Sequence, residues 1–200
     1  MSCMTRWNDT DHQWAGIDFT LSSIAFDEKV KYHDCLNKSM MYLSFELEYT
    51  CRSGNRHVGW FLDPASKSDW YSIVQLSTNV PEGEPGLSSH IDAADIIWCK
   101  KNEVEDFVQQ HITLKRLAEV AEDVKLIADN FIKPEPKYGG IYTKDRKGVS
   151  RINWDHHQFW ITYTPYLREQ PVNLSLRTSS LLELKSTRHF IVTKEEVRRA

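Results

Sequence analysis

The chain has 200 residues, of which 40% are hydrophobic and 12% aromatic, and its formal net charge is −3. This length and apolar content are enough for one sizeable core, and the aromatic content excludes a disordered chain. We therefore expect a single α/β domain over residues 1–200, with a core in residues 1–99 and a helical and β elaboration in residues 100–200. The net acidity argues against an extended DNA-binding surface, since such surfaces are rich in Lys and Arg.

Cysteine spacing and hydropathy predict the cellular compartment of the protein. The four cysteines show no CxxC spacing, so neither a zinc ribbon nor a thioredoxin-type redox site is indicated. Residues 1–20 lack the apolar centre of a secretory signal, and no stretch approaches the roughly 20 apolar residues of a membrane helix. We expect a cytoplasmic protein with reduced thiols and no membrane partner.

The first third of the chain has the pattern of β-strands. Residues 17–21 alternate between apolar and polar side chains, and residues 24–30 also look extended, which predicts a hairpin turning at Ser22-Ser23. Further strands are predicted at residues 41–49, 58–62 and 70–76.

The middle of the chain changes to helix. Two prolines and two glycines mark residues 79–90 as a loop, which leads to a short strand at residues 95–99. Asn102 and Glu105 resemble a capping box, and a second helix with a continuous apolar stripe begins at Thr113.

The last third is predicted to mix both element types. A loop is expected at residues 133–150 because the segment is basic and contains glycines, and Thr193 with Glu196 is expected to cap a terminal helical turn. The remaining predicted elements are strands at residues 158–163, 172–176 and 190–192, and a short helix at residues 179–184.

Two acidic residues are predicted to meet across the first hairpin. If the turn is at Ser22-Ser23, Asp18 stands directly opposite Asp27, and like charges placed so are destabilising. A divalent cation such as Mg²⁺ compensates such a pair, because it prefers carboxylate oxygens. The period of two also places Lys29 on the same face as Asp27, while Glu28 points away.

This combination is suited to phosphodiester hydrolysis. A bound metal lowers the pKa of its water and neutralises charge on a phosphate oxygen. A neighbouring lysine positions the attacking water and stabilises the charge that develops on phosphorus.

The segment Gly16-Ile17-Asp18, followed by Asp27-x-Lys29, resembles the PD-(D/E)xK nuclease superfamily, over roughly residues 10–76. The resemblance implies a restriction-endonuclease-like α/β fold, with a central mixed β-sheet flanked by helices and a C-terminal α+β elaboration. It implies an endonuclease that cuts DNA, leaves a 5′-phosphate and uses Mg²⁺, for which Mn²⁺ can substitute. Asp18, Asp27 and the backbone carbonyl of Glu28 would be the metal ligands, and Lys29 the catalytic lysine. Ile17 stands where the family's motif has proline.

Other residues are secondary candidates for the same site. Glu46 extends the metal site if its strand lies beside the hairpin; otherwise it is part of a solvated strand face. Substrate contacts are predicted, each against the alternative of a solvated surface residue, for Gln13, Lys67, Lys144, Arg146 and Lys147.

Two rival functions remain open at this point. The chain could be a non-catalytic nucleic-acid-binding or assembly domain that keeps the nuclease fold, or an unrelated metal-binding hydrolase that acts on a small phosphoester. A homodimer would suit the cutting of both DNA strands.

Overall fold

The computed structural model describes residues 3–33, 42–51, 53–78, 91–130, 141–144, 150–154 and 159–200. These residues form a mixed α/β structure with two compact units. Unit 1 combines residues 1–41, 66–104 and 178–200, and unit 2 combines residues 42–65 and 105–177. Both halves of the chain contribute to each unit.

In chain order the elements are β1 (Met4–Arg6), α1 (Thr10–Trp14), β2 (Phe19–Leu21), β3 (Ile24–His33), β4 (Tyr42–Thr50), β5 (Arg56–Val58), β6 (Trp70–Thr78), β7 (Ile91–Lys100), α2 (Lys101–Gln109), α3 (Leu114–Asn130), β8 (Ile141–Lys144), β9 (Ser150–Trp154), β10 (Phe159–Tyr163), β11 (Val172–Arg177), α4 (Thr178–Leu182), β12 (Arg188–Thr193) and β13 (Val197–Arg199).

Unit 1 is built on a seven-stranded sheet with the order β1-β2-β3-β6-β7-β12-β13. The β3–β6 pair is parallel, and the other neighbouring strands are antiparallel. The mixed sheet predicted for an α/β chain is therefore present in this unit.

The predicted hairpin forms the start of this sheet. Phe19 pairs with Phe26 and Leu21 with Ile24, which is the register expected from a turn at Ser22-Ser23. Both serines have positive φ, 49° and 71°, as a two-residue type I′ turn requires. The predicted hairpin is confirmed over Phe19–Leu21 and residues 24–26, whereas the predicted Asp18–Asp27 pair is not part of this ladder.

An aromatic cluster fixes one face of the hairpin. Phe19 stacks on Phe26 with ring centroids 4.7 Å apart, and Phe26 lies 5.1 Å from Trp98. Since successive side chains of a strand point to opposite faces, burial of Phe26 directs Asp27 to the other face. The aromatic contacts therefore support the register on which the candidate site depends.

Unit 2 has a six-stranded antiparallel sheet with the order β5-β4-β11-β10-β9-β8. Helix α3 packs against β4, β9, β10 and β11. The predicted helix start is confirmed, since the Oγ1 of Thr113 accepts a hydrogen bond from the Arg116 N–H at 3.2 Å. The predicted apolar stripe is buried at Leu117, Val120, Ala121 and Val124.

Two predicted element boundaries in the middle of the chain are wrong. Helix α2 follows β7 directly, and the Lys101 N–H donates to the Asp69 carbonyl at 3.0 Å, so Asn102 is not its N-cap. Of the strand predicted at residues 58–62, only Val58 is in a strand. The residues that follow form a turn, in which the N–H groups of Leu62 and Asp63 both donate to the Gly59 carbonyl. The loop predicted at residues 79–90 lies outside the described residues.

Two further predictions for the second half are corrected. The segment predicted as a loop at residues 133–150 contains β8, and its last residue begins β9. The predicted cap at Thr193 belongs to a hairpin turn instead: its Oγ1 accepts hydrogen bonds from the N–H groups of Glu195 and Glu196, and the chain continues as β13.

A β-bulge in β4 changes which side chains share a face. Asn173 stands opposite Glu46, while the adjacent Val172 stands opposite Glu48, so Leu47 is an extra residue in the ladder. Because neighbouring residues of β11 point to opposite faces, Glu46 and Glu48 also point to opposite faces. Uninterrupted alternation along residues 41–49 would place the two glutamates on one face, and the bulge removes that arrangement.

Gly59 packs directly on this bulge. Its N–H donates to the Leu47 carbonyl at 2.8 Å, and a Cβ added to Gly59 would lie 2.4 Å from the Glu46 carbonyl oxygen. We expect Gly59→Ala to destabilise the protein by about 1–3 kcal/mol in urea denaturation, because the backbone must shift. Gly54→Ala is the control, since no atom lies within 4 Å of its added Cβ, although its φ is +83°. Gly54→Ala should lower the free energy of unfolding by about 1 kcal/mol because of this positive φ. If Gly59→Ala is as stable as wild type, the steric argument is wrong.

Candidate metal centre

Asp18 lies at the entrance to the hairpin. The strand predicted from residue 17 begins at Phe19, so Asp18 stands just beyond the end of the ladder. Its N–H donates to the Phe26 carbonyl at 2.8 Å, and its carboxylate Oδ2 accepts the Glu28 N–H at 2.6 Å. These two bonds hold the carboxylate against β3.

Asp27 is the buried acid of the site. The residue is 2% exposed, and its carboxylate lies 2.7 Å from the Lys29 Nζ through Oδ1. The other oxygen, Oδ2, is buried without a hydrogen-bond partner. A buried carboxylate oxygen without a partner is costly, and it is the kind of atom that a cation would satisfy.

The Asp18 carboxylate lies next to Asp27, since it accepts the N–H of Glu28, the residue that follows Asp27. Burial raises the pKa of Asp27 to about 7, with Lys29 acting against this increase and the adjacent Asp18 carboxylate adding to it. The ammonium of Lys29 therefore compensates only part of the cost of the buried charge. The structure thus brings Asp18, Asp27 and Lys29 together in unit 1, although Asp18 is not paired with Asp27 in the ladder as predicted.

Glu28 turns its side chain away from this patch. Its carboxylate pairs with the Arg6 guanidinium, with Oε2 and Nη2 2.6 Å apart. The predicted orientation of Glu28 is confirmed, and its backbone carbonyl as a metal ligand stays a prediction.

Asp69 anchors the strand that carries Asp27 through its backbone N–H and its carboxylate. Its N–H donates to the Ala25 carbonyl at 2.9 Å, and its Oδ2 accepts the Ala25 N–H at 3.1 Å. Both backbone groups of Ala25 are thereby satisfied two residues before Asp27. The available sequence signal is an acidic residue immediately before the buried strand β6.

A loop places Lys67 beside the chain that leads to Asp18. The Lys67 N–H donates to the Ala15 carbonyl at 2.7 Å, and its side chain is exposed. The adjacent Ser66 packs on Gly16, whose φ is +67° and whose added Cβ would lie 2.9 Å from the Ser66 Oγ. The backbone of Lys67 is therefore fixed to the segment that precedes Asp18, and contact of its side chain with phosphate stays a prediction.

The sheet topology decides the outcome for Glu46. Glu46 lies in β4, which pairs with β5 and β11 rather than with the hairpin, so the condition set for its metal role is not met. The physical reason is that a nonlocal pairing, between residues 42–50 and 172–177, determines the position of β4. Gln13 lies in α1, Lys144 ends β8, and Arg146 and Lys147 lie outside the described residues.

The donor set fits Mg²⁺ in part. This ion is commonly bound by one or two carboxylates together with waters and substrate phosphate, and Asp18 and Asp27 supply two. Within the described ranges, no cluster of three or more His, Cys, Asp or Glu residues forms a larger metal site. A metal here would therefore depend on the two aspartates, the Glu28 carbonyl and solvent.

Comparison with protein-family models, with curated proteins and with solved structures found no match to this chain. In the part of the chain that the structure describes, no helix has the length and apolar character needed to cross a membrane.

Proposed function

We propose that this chain is a Mg²⁺-dependent nuclease of the restriction-endonuclease-like type that hydrolyses phosphodiester bonds in DNA. The observation that carries the proposal is the buried Asp27 carboxylate, which lies beside Asp18 and Lys29 with one oxygen lacking a hydrogen-bond partner. Two adjacent carboxylates repel each other, and a divalent cation removes that repulsion.

The chain's own residues supply binding and positioning. Asp18, Asp27 and the Glu28 carbonyl would hold Mg²⁺, which when bound activates water and neutralises phosphate charge. The side chain of Lys29 is 34% exposed, so its ammonium reaches solvent while it remains paired with Asp27. Lys29 orients the attacking water and stabilises charge that develops on the phosphate oxygens.

One observation favours a non-catalytic nucleic-acid-binding domain as the second candidate. Since the pKa of Asp27 is raised to about 7, this carboxyl group can hold a proton near neutral pH and lie beside Asp18 without a cation. In that case the acid pair is structural.

Cleavage assays with matched lysine variants separate the two candidates. The wild type should cut linear, supercoiled or branched DNA in Mg²⁺ or Mn²⁺. Lys29→Ala should slow cleavage by about 10²–10⁴-fold while calorimetry still detects metal binding. Lys115→Ala is the control, because Lys115 is an exposed lysine of unit 2 and should leave the rate unchanged.

Failure of the wild type to cut any of these DNAs with either metal would reject the nuclease. DNA binding without cleavage would then support the binding domain, and hydrolysis of a small phosphoester alone would support a different hydrolase. Gel filtration of the active protein tests the predicted homodimer.

A further inference from the structure

Trp7 lies next to Asp18 in the β1–β2 pairing. Met4 pairs with Leu21 and Arg6 with Phe19, and the Trp7 N–H continues this register by donating to the Asp18 carbonyl at 3.0 Å. Arg6 lies over the Phe19 ring, on the aromatic face of the hairpin. Alternation therefore directs the next residue, Trp7, to the face of Asp27 and Lys29.

The Trp7 ring is stacked on an imidazole. The rings of Trp7 and His12 have centroids 4.0 Å apart and an angle of 1° between their planes. Both carboxylate oxygens of Asp9 lie 2.8 Å from the His12 Nδ1, and the Asp9 Oδ1 also accepts the His12 N–H at 3.0 Å. Asp9 thus fixes the orientation of the imidazole, and the His12 carbonyl accepts the Ile17 N–H at 2.9 Å.

The stack keeps surface available for a ligand. The His12 side chain is 34% exposed although Trp7 covers one face of its ring, so the exposed part of the side chain lies away from Trp7. The Trp7 indole N–H is buried without a hydrogen-bond partner. A stack that leaves a buried donor unsatisfied is not optimal for stability alone.

We infer that the Trp7–His12 stack receives an unpaired nucleobase next to the phosphodiester on which Asp18, Asp27 and Lys29 act. Bases stack on aromatic side chains without regard to sequence, and the Trp7–Asp18 backbone bond places this platform beside the phosphate site. In a duplex both faces of a base are covered, so the ring face of His12 is accessible only to an unstacked base. The inference rests on the proposed function for the position of the cleaved bond, and it names single-stranded or locally unpaired DNA as the substrate class.

Fluorescence of 2-aminopurine tests this contact without cleavage. Each single-stranded oligonucleotide carries the probe at one position, and binding to the protein is measured in Ca²⁺. In a separate experiment, the bond that the wild type cleaves in Mg²⁺ is mapped on the same oligonucleotides. The probe next to that bond should be quenched by wild type and not by His12→Ala, which should bind about tenfold more weakly. His12→Phe should restore the quenching, because it restores an aromatic face.

His57→Ala is the matched control, since His57 is also exposed and stacks on an aromatic ring, that of Tyr49 in unit 2. It should retain full quenching. If the protein cleaves DNA and wild type and His12→Ala quench the probe equally, the proposed contact between the stack and a base is wrong, and the proposed nuclease function stands. Quenching that depends on His12 but occurs without any cleavage in Mg²⁺ would support the stack and reject hydrolysis.

Discussion

Asp27→Asn should reduce Mg²⁺-dependent cleavage by at least about 100-fold, because loss of a residue that merely orients a metal ligand already costs about 10–100-fold. The substitution keeps the size of the side chain and removes the negative charge that lies 2.7 Å from the Lys29 Nζ. Metal affinity measured by calorimetry should fall together with the cleavage rate. Metal affinity and cleavage rate are measured on the same preparation of each protein.

The same variant should be more stable than wild type when metal is removed with EDTA. Since burial raises the pKa of Asp27 from 3.8 to about 7, the folded state binds more protons than the unfolded state between these values. Wild-type stability should therefore fall as pH rises from about 4 to about 7, by at most about 1.4 kcal/mol for each pH unit. Above about pH 7 it should change little. Asp27→Asn should lose this pH dependence and have the higher melting temperature at pH 8.

Asp106→Asn is the control for both measurements, because Asp106 is exposed on α2. It should change neither cleavage nor the pH dependence of stability. A lower melting temperature for Asp27→Asn than for wild type at pH 8 would contradict the argument that the buried charge is costly. Full cleavage activity of Asp27→Asn would contradict the proposed metal site.

The geometry of the hairpin could be predicted because its determinants are local. The alternation around Asp18 and the two-residue turn at Ser22-Ser23 together specify which residues are opposed, and a one-residue change of register would exchange the two faces. Phe19 and Phe26 on one face therefore imply Asp27 on the other. The pairing of Asp27 with Lys29 follows from the same period of two.

The position of β4 could not be predicted, because it depends on a partner far away in sequence. Strand β4 pairs with β11, and the alternation of Phe45, Leu47 and Tyr49 contains no information about that partner. The bulge at Leu47 then removes the regular alternation itself. Asp69 was also unpredictable in its role, since its carboxylate acts on the backbone of Ala25, 44 positions earlier.

The bulge has an energetic consequence in unit 2, because it directs Glu48 into the core. Glu48 is 7% exposed, and its carboxylate accepts hydrogen bonds from Arg56 at 2.8 and 2.5 Å and from the Lys125 ammonium. Arg56 also pairs with Glu122. Burial tends to raise the pKa of Glu48, but hydrogen bonds from Arg56 and Lys125 outweigh it and lower the pKa.

Glu48→Ala should therefore destabilise the protein by about 3 kcal/mol in urea denaturation at pH 7, because it leaves the Lys125 ammonium buried without its partner. The side chain of Lys125 is only 13% exposed, whereas that of Arg56 is 46% exposed and can be solvated. Since the folded-state pKa of Glu48 lies below its unfolded value, its contribution is present above about pH 4.5 and is lost as pH falls through the folded pKa. Wild type should lose stability in that acid range more steeply than the variant.

Two further variants distinguish a broken buried ion pair from general damage to β4. Glu119→Ala removes the partner of Arg116 in an exposed pair on α3 and should cost less than about 1 kcal/mol. The double variant Glu48→Leu/Lys125→Met removes both buried charges and should be more stable than Glu48→Ala, because no ammonium remains to be compensated. If the double variant is as unstable as Glu48→Ala, the cost arises from packing around the bulge, and the isolated charge of Lys125 is not its cause.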